Sequence, residues 1–244
     1  MPLRFHHSEF DPPPLWLGTK AKAASQGEDK ASDTLLRLTK AQVEKLKKKV
    51  RNFDDKKLDP PYTSFEVITG HLWKCVCKAR HGTVAMESNQ QGCPRWLTVE
   101  TVWSHPFLKP LSFAVKNVRQ AVERMSDDYV RSALAYIAQQ KDMNSLRYPS
   151  HSSVVGTGGP FRGNPNMYIV SWKNFALYDA DFGWGKPVHI GPGPINTDGK
   201  AFIMDNGNGD GFNVAICLQA SQLNALNKLF YEDIEEKLLH SSKL

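Results

Sequence analysis

The apolar pattern of this chain changes period past its middle, and that change limits the folds it can adopt. Between about residues 40 and 140, apart from 82–110 where no period is clear, apolar residues recur at three- and four-residue intervals, as one face of an α-helix requires. From Met167 onward they come in short runs (MYIVSW, KPVHI, KAFIM and FNVAICL) parted by glycine-rich turns, the signature of strands. Helices first, strands later and an amphipathic helix at the close disfavour a doubly wound array, whose elements alternate. They predict an α/β fold in which helices cover a sheet. No segment repeats.

Local signals place the elements. Residues 1–33 are proline-rich, then small and polar, and read as a linker or crossing loop before a folded unit at 34–244. TLLRL from Thr34 predicts a short strand. Thr39 then caps a helix, with Gln42 completing a capping box and Val43, Leu46 and Val50 forming the apolar stripe. A second helix is expected to begin at Thr63 or Ser64, with Glu66 as box partner, and to run to about Arg80. Phe65, Ile68, Leu72, Cys75 and Ala79 are its inward face. Helices are also predicted at 111–125 and 127–140. Ser221 caps a last one bearing Leu223, Leu226, Phe230 and Ile234.

Composition removes several function classes. With 41% apolar residues in 244, the chain can bury a real core. The net charge of +6 comes largely from KLKKKVR at 45–51, which lacks interleaved aromatics; a solvated helix face explains it better than a nucleic-acid or anion-binding surface. Cys75, Cys77, Cys93 and Cys217 form no CxxC pair and no disulfide framework, which predicts a reducing compartment and no metal. The first fifteen residues do not resemble a signal peptide, and no apolar run could span a bilayer, so a soluble cytoplasmic protein is expected. Against that stands the terminal Ser242-Lys243-Leu244, which matches a peroxisomal address.

Short motifs mostly dissolve on inspection. VVGTGGPFRGNP (154–165) lacks the Gly-Lys-Ser/Thr of a phosphate loop and leads into a strand rather than a helix. GNGDG (207–211) lies between two strands and reads as a hairpin turn, not a calcium loop. Asp181-Phe182-Gly183 has none of the other parts of a kinase. Within YDADFGWGKPVHIGPGP (178–194), however, two glycines flank Trp184, so the chain can turn tightly around a large apolar anchor. Asp181 can accept backbone N–H bonds within that turn or pair with a distant arginine, and the turn should lead into a strand KPVHI.

That longer string resembles a known family. DFGWGKP, entered from SWKNFALYDA and left through GPGP, is similar to the plant BAHD acyl-CoA-dependent acyltransferases, in the hydroxycinnamoyltransferase branch. YTSFEVITGHLWKCVCKAR (62–80), LRLTKAQVEKLKKK and ALNKLFYEDI also fit, and together they match the last half of such an enzyme. Between the second and third helices the family's D-x-R-x-R strand survives at most as LTVET, and its Pro-rich loop is absent.

The resemblance implies the C-terminal lobe of a two-lobed fold like chloramphenicol acetyltransferase, a mixed sheet covered by helices. The whole enzyme would move an acyl group, in this branch a hydroxycinnamoyl group, from acyl-CoA as co-substrate to a small-molecule amine or hydroxyl, with no bound cofactor. It implies a general-base histidine in an H-x-x-x-D-G motif of an N-terminal lobe, so no catalytic residue is expected here. His7-Ser8-Glu9-Phe10-Asp11 has the spacing, but three prolines follow Asp11, and FHHSEFDPPP resembles a later loop of the family. Thr63 and Ser64 would line the CoA side of a channel, and Pro187, His189 and Gly191 on a strand its acceptor side. Asp181, Phe182, Gly183, Trp184 and Gly185 would be structural. Shikimate transferases commonly carry arginine two residues after the strand tryptophan. Here Trp172 is followed by Lys173 and Asn174, which points to a polyamine or another amine or alcohol acceptor. The rival reading is a truncated, inactive acyltransferase-like chain serving as a binding module or having no function.

Overall fold

The computed structural model describes residues 5–7, 31–52, 60–83, 109–141, 167–195 and 198–235. Four strands form one mixed sheet in the order β1-β4-β3-β2: β1 (Ala31–Thr39), β2 (Tyr168–Ser171), β3 (Lys200–Asp205) and β4 (Gly211–Gln219). β4 runs antiparallel to both neighbours, whereas β2 lies parallel to β3. The β1–β4 ladder is continuous from Ala31↔Gln219 to Thr39↔Gly211. β4 is buried along nearly its whole length, as a strand covered on both faces must be. β1, at an edge, buries only Leu36 and Leu38 fully. It starts at Ala31, so the expected linker ends three residues earlier than position 33.

Five α-helices accompany the sheet: α1 (Lys40–Arg51), α2 (Ser64–Thr83), α3 (Leu111–Glu123), α4 (Asp127–Ala138) and α5 (Ala220–Glu235). α1 starts on the expected capping box, with Gln42 N–H donating to Thr39 Oγ1 and Thr39 N–H to Gln42 Oε1. Its buried residues are Val43, Leu46 and Val50, and the lysines fall outside that stripe. α2 runs past Arg80 to Thr83. α5 begins at Ala220 as a direct continuation of β4, rather than after a cap at Ser221.

Strand alternation separates two clusters. Leu36, Leu38, Val214, Ile216 and Ile203 join α1, α2, α3 and α5 in the main core. Phe202, Met204, Ala215 and Cys217 face the other way, where Ile195, Val170 and Trp172 cover them. Two expectations for this second face fail. Residues 186–190 (KPVHI) form no strand and pair with nothing in the sheet. Trp184 is not an apolar anchor within this chain, being 89% exposed. The turn between β3 and β4 at 207–211 is the expected hairpin, with Gly209 at φ 67°. The expectations for 154–165, LTVET, Cys93 and Ser242–Leu244 lie outside the described residues.

Candidate functional site

The start of α2 is wired from three directions. Thr63 caps the helix by accepting from Glu66 N–H (3.2 Å), while Glu66 Oε2 accepts from Thr63 N–H (2.6 Å). Arg119 on α3 reaches the same carboxylate with Nε and Nη2 (3.0 and 2.9 Å). Its Nη1 and Nη2 also donate to the carbonyls of Pro60 and Pro61 (2.8 and 2.9 Å), and its guanidinium lies 4.2 Å from the Tyr62 ring centroid. Burial alone would raise the Glu66 pKa, but Arg119 and the Thr63 amide outweigh it and hold the carboxyl below 4.5. A buried negative charge at the helix start is thereby cancelled. Thr63 stays exposed and Ser64 half-buried, so this end of α2 offers an accessible polar surface with a helix dipole behind it.

The stretch from Trp172 to Ile195 is irregular but fixed at several points. Asn174, at φ 64°, donates its N–H to Asp205 Oδ2 (2.7 Å). Ile190 N–H donates to the Tyr178 hydroxyl (3.3 Å), and Ile195 N–H to Asp33 Oδ2 (2.9 Å). Gly207 of the hairpin lies flat on Tyr178, because a Cβ there would sit 2.6 Å from the Tyr178 ring. Asp181 accepts from the amides of Gly183 (2.8 Å) and Gly185 (3.0 Å), as expected, and those bonds depress its pKa. Pro187 is half-buried, while His189 and Gly191 are exposed on irregular chain rather than on a strand. Trp172, Phe175, Tyr178, Ile190 and Met204 line a shallow recess beside Asp205, which the sequence did not reveal because its walls come from three separate stretches.

The two expected walls belong to different faces of the sheet. Tyr62 and Val67, at the start of α2, are part of the main core, whereas Trp172 and Ile195 cover the opposite cluster.

His7 is buried within the fold. It is 3% exposed, with Nε2 3.0 Å from Ser132 Oγ and its ring 4.9 and 5.8 Å from the rings of Tyr129 and Tyr136. It seats the N-terminal stretch on α4. A second cluster, His71, Cys75 and Asp233, brings potential ligand atoms within 4.8 Å of one another. Burial pushes the His71 pKa down to about 4, so the neutral ring donates Nε2–H to the Phe230 carbonyl (2.9 Å). Burial also keeps the Cys75 thiol protonated, and Lys78 holds both Asp233 oxygens (3.1 and 3.2 Å). With lysines 49, 74 and 78 exerting their charge on this cluster, it suits helix packing better than a cation.

Comparison with known proteins now decides the family. The model of the transferase family matches residues 5–90 and 100–233. The chain belongs to this family, the BAHD acyltransferases. It is 33% identical to a hydroxycinnamoyl-CoA:piscidic acid hydroxycinnamoyltransferase of Actaea racemosa, over 95% of this chain and 56% of that protein. It is 31% identical to a shikimate O-hydroxycinnamoyltransferase of Nicotiana tabacum, over 94% of this chain and 55% of that protein. The chain thus spans about half the length of the curated relatives it matches. Among solved structures the fold is similar to F. graminearum TRI101 complexed with ethyl coenzyme A (TM-score 0.59, 14% identity, 81% of this chain, 47% of that one). Vinorine synthase is similar too (TM-score 0.51, 14% identity, 82% and 48%). The BAHD fold expected from DFGWGKP is therefore the one found. No helix among the described residues is long and apolar enough to cross a membrane.

Proposed function

We propose that this chain is one lobe of a hydroxycinnamoyl-CoA-dependent acyltransferase and is inactive without the rest of that fold. The observation that carries this reading is the match to hydroxycinnamoyltransferases along 94–95% of the chain but only 55–56% of theirs. The BAHD lobe would supply one wall of the acyl-CoA channel through Thr63 and Ser64, where the Glu66–Arg119 pair cancels a carboxylate that would otherwise repel an anionic co-substrate. The irregular stretch through Pro187, His189 and Gly191 would border the acceptor. Asp181 to Gly185 would take no part in bond making.

The acceptor would attack the thioester carbonyl, form a tetrahedral oxyanion and release CoA as the thiol. Its proton would pass to a histidine outside these 244 residues, a contribution of roughly 10² to 10⁴-fold. By their names, relatives transfer to shikimate and to the nitrogen of 5-hydroxyanthranilate, which supports an alcohol or amine acceptor here. Lys173 Nζ donates to its neighbour Asn174 Oδ1 (2.7 Å), so a forked partner for an acceptor carboxylate is not formed there. This favours an acceptor such as a polyamine. The test is to assay the purified chain with hydroxycinnamoyl-CoA and several acceptors, alone and co-expressed with the N-terminal half of the tobacco relative. Turnover is expected only in the complex. Turnover by the chain alone, abolished by His7→Ala, would overturn the reading; a stable complex without turnover would favour the inactive module.

A further inference from the structure

The geometry points to Phe182, Trp184 and Val188 as the docking surface by which this chain holds the part of the BAHD fold lying outside its 244 residues. The inference deepens the proposed function and rests on its view of the chain as one lobe. Three large apolar side chains within seven residues are 77%, 89% and 98% exposed. Scattered exposed apolar residues are ordinary, but a cluster marks an interaction site, and tryptophan is the residue most enriched where binding energy concentrates.

The cluster is held outward by structure. Asp181 ties the amides of Gly183 and Gly185, and both glycines take φ values (102° and 106°) that a side chain would resist. Lys186 Nζ pairs with Asp179 Oδ1 at 2.9 Å on the same turn. The flanks are tied down by Tyr178 to Ile190 N–H and by Asp33 to Ile195 N–H. A preorganised turn loses little freedom on binding, so its apolar area contributes to affinity more fully.

The length of the relatives identifies the occupant. They extend well beyond the matched region, since this chain covers 55–56% of the hydroxycinnamoyltransferases and 47–48% of the solved structures cited above. The stretch that carries the turn follows β2 in the chain, and β2 ends the sheet among the described residues, where the fold can be extended. Asp179, Asp181 and Lys186 leave the turn without a cationic excess, which argues against an anionic membrane or a nucleic acid.

The experiment co-expresses the full 244-residue chain with the N-terminal half of the tobacco shikimate O-hydroxycinnamoyltransferase and measures association by sedimentation velocity. A one-to-one complex is expected. The double variant Trp184→Ala/Val188→Asp should weaken it at least tenfold, with the chain's own melting curve unchanged because both side chains stand in solvent. Leu134→Asp, at a 60% exposed position on α4, should leave association intact. Failure to form a complex, or a complex indifferent to the double variant, overturns the inference. So does wild-type self-association that the double variant abolishes, which would make a second copy the occupant. A Trp184-dependent complex that transfers no acyl group would leave the docking surface standing and sink the proposed activity instead.

Discussion

Arg119 shows how one residue can tie together three parts of the fold. Its guanidinium meets Glu66, two proline carbonyls and the Tyr62 ring at once, so a point charge could not replace it. Arg119→Met strands a buried carboxylate and should cost about 3 kcal/mol in urea unfolding, with Glu66→Gln in the same chain recovering much of the loss. Little or no loss in the single variant would show that water already reaches Glu66. His71 makes a second prediction, through pH. Its folded pKa of about 4 lies below the ordinary histidine value of 6.5, so the unfolded chain takes up a proton first as pH falls. Its contribution is complete above pH 6.5 and drains away between 6.5 and about 4, by up to roughly 3 kcal/mol at one pKa unit per 1.4 kcal/mol. Glu66 and Asp233 have lowered pKa values, so their losses fall at lower pH, below 4.5 and 3.8. Unfolding curves at pH 7.5, 6 and 5 should therefore show a slope that His71→Gln reduces; an equal slope in that variant would remove the assignment.

Between helices, α2 comes close to α3 at Gly70. A Cβ on Gly70 would lie 2.8 Å from Val115 Cγ2 and 3.0 Å from Val115 N, and the second of these is backbone. Gly70→Ala should destabilise the chain by about 1–3 kcal/mol through overpacking, and adding Val115→Ala should recover only part of it. Full recovery in a thermal melt would mean that the side-chain clash alone sets the distance. Helix caps were legible because they are local: Thr39 with Gln42, and Thr63 with Glu66, lie three residues apart and bond as their spacing requires. The strand expected at 186–190 failed for the opposite reason. Its alternation is that of a strand, but a strand needs a partner, and none of the four strands of the described sheet pairs with it.

For the whole molecule, the proposed inactivity of the lone chain and its exposed tryptophan have a common origin. On that proposal, a fold that continues in relatives to nearly twice this length would leave one face here without its counterpart. The sequence by itself determined the helices, the caps at Thr39 and Thr63, the buried stripes and the family, because these depend on neighbours within a few residues or on DFGWGKP as written. Only the tertiary structure decided that His7 is buried against Ser132 and that Trp184 points into solvent. It alone also put the two expected channel walls on different faces of the sheet. Each of those outcomes turns on what lies across space from a side chain, and spacing along the chain carries no record of that.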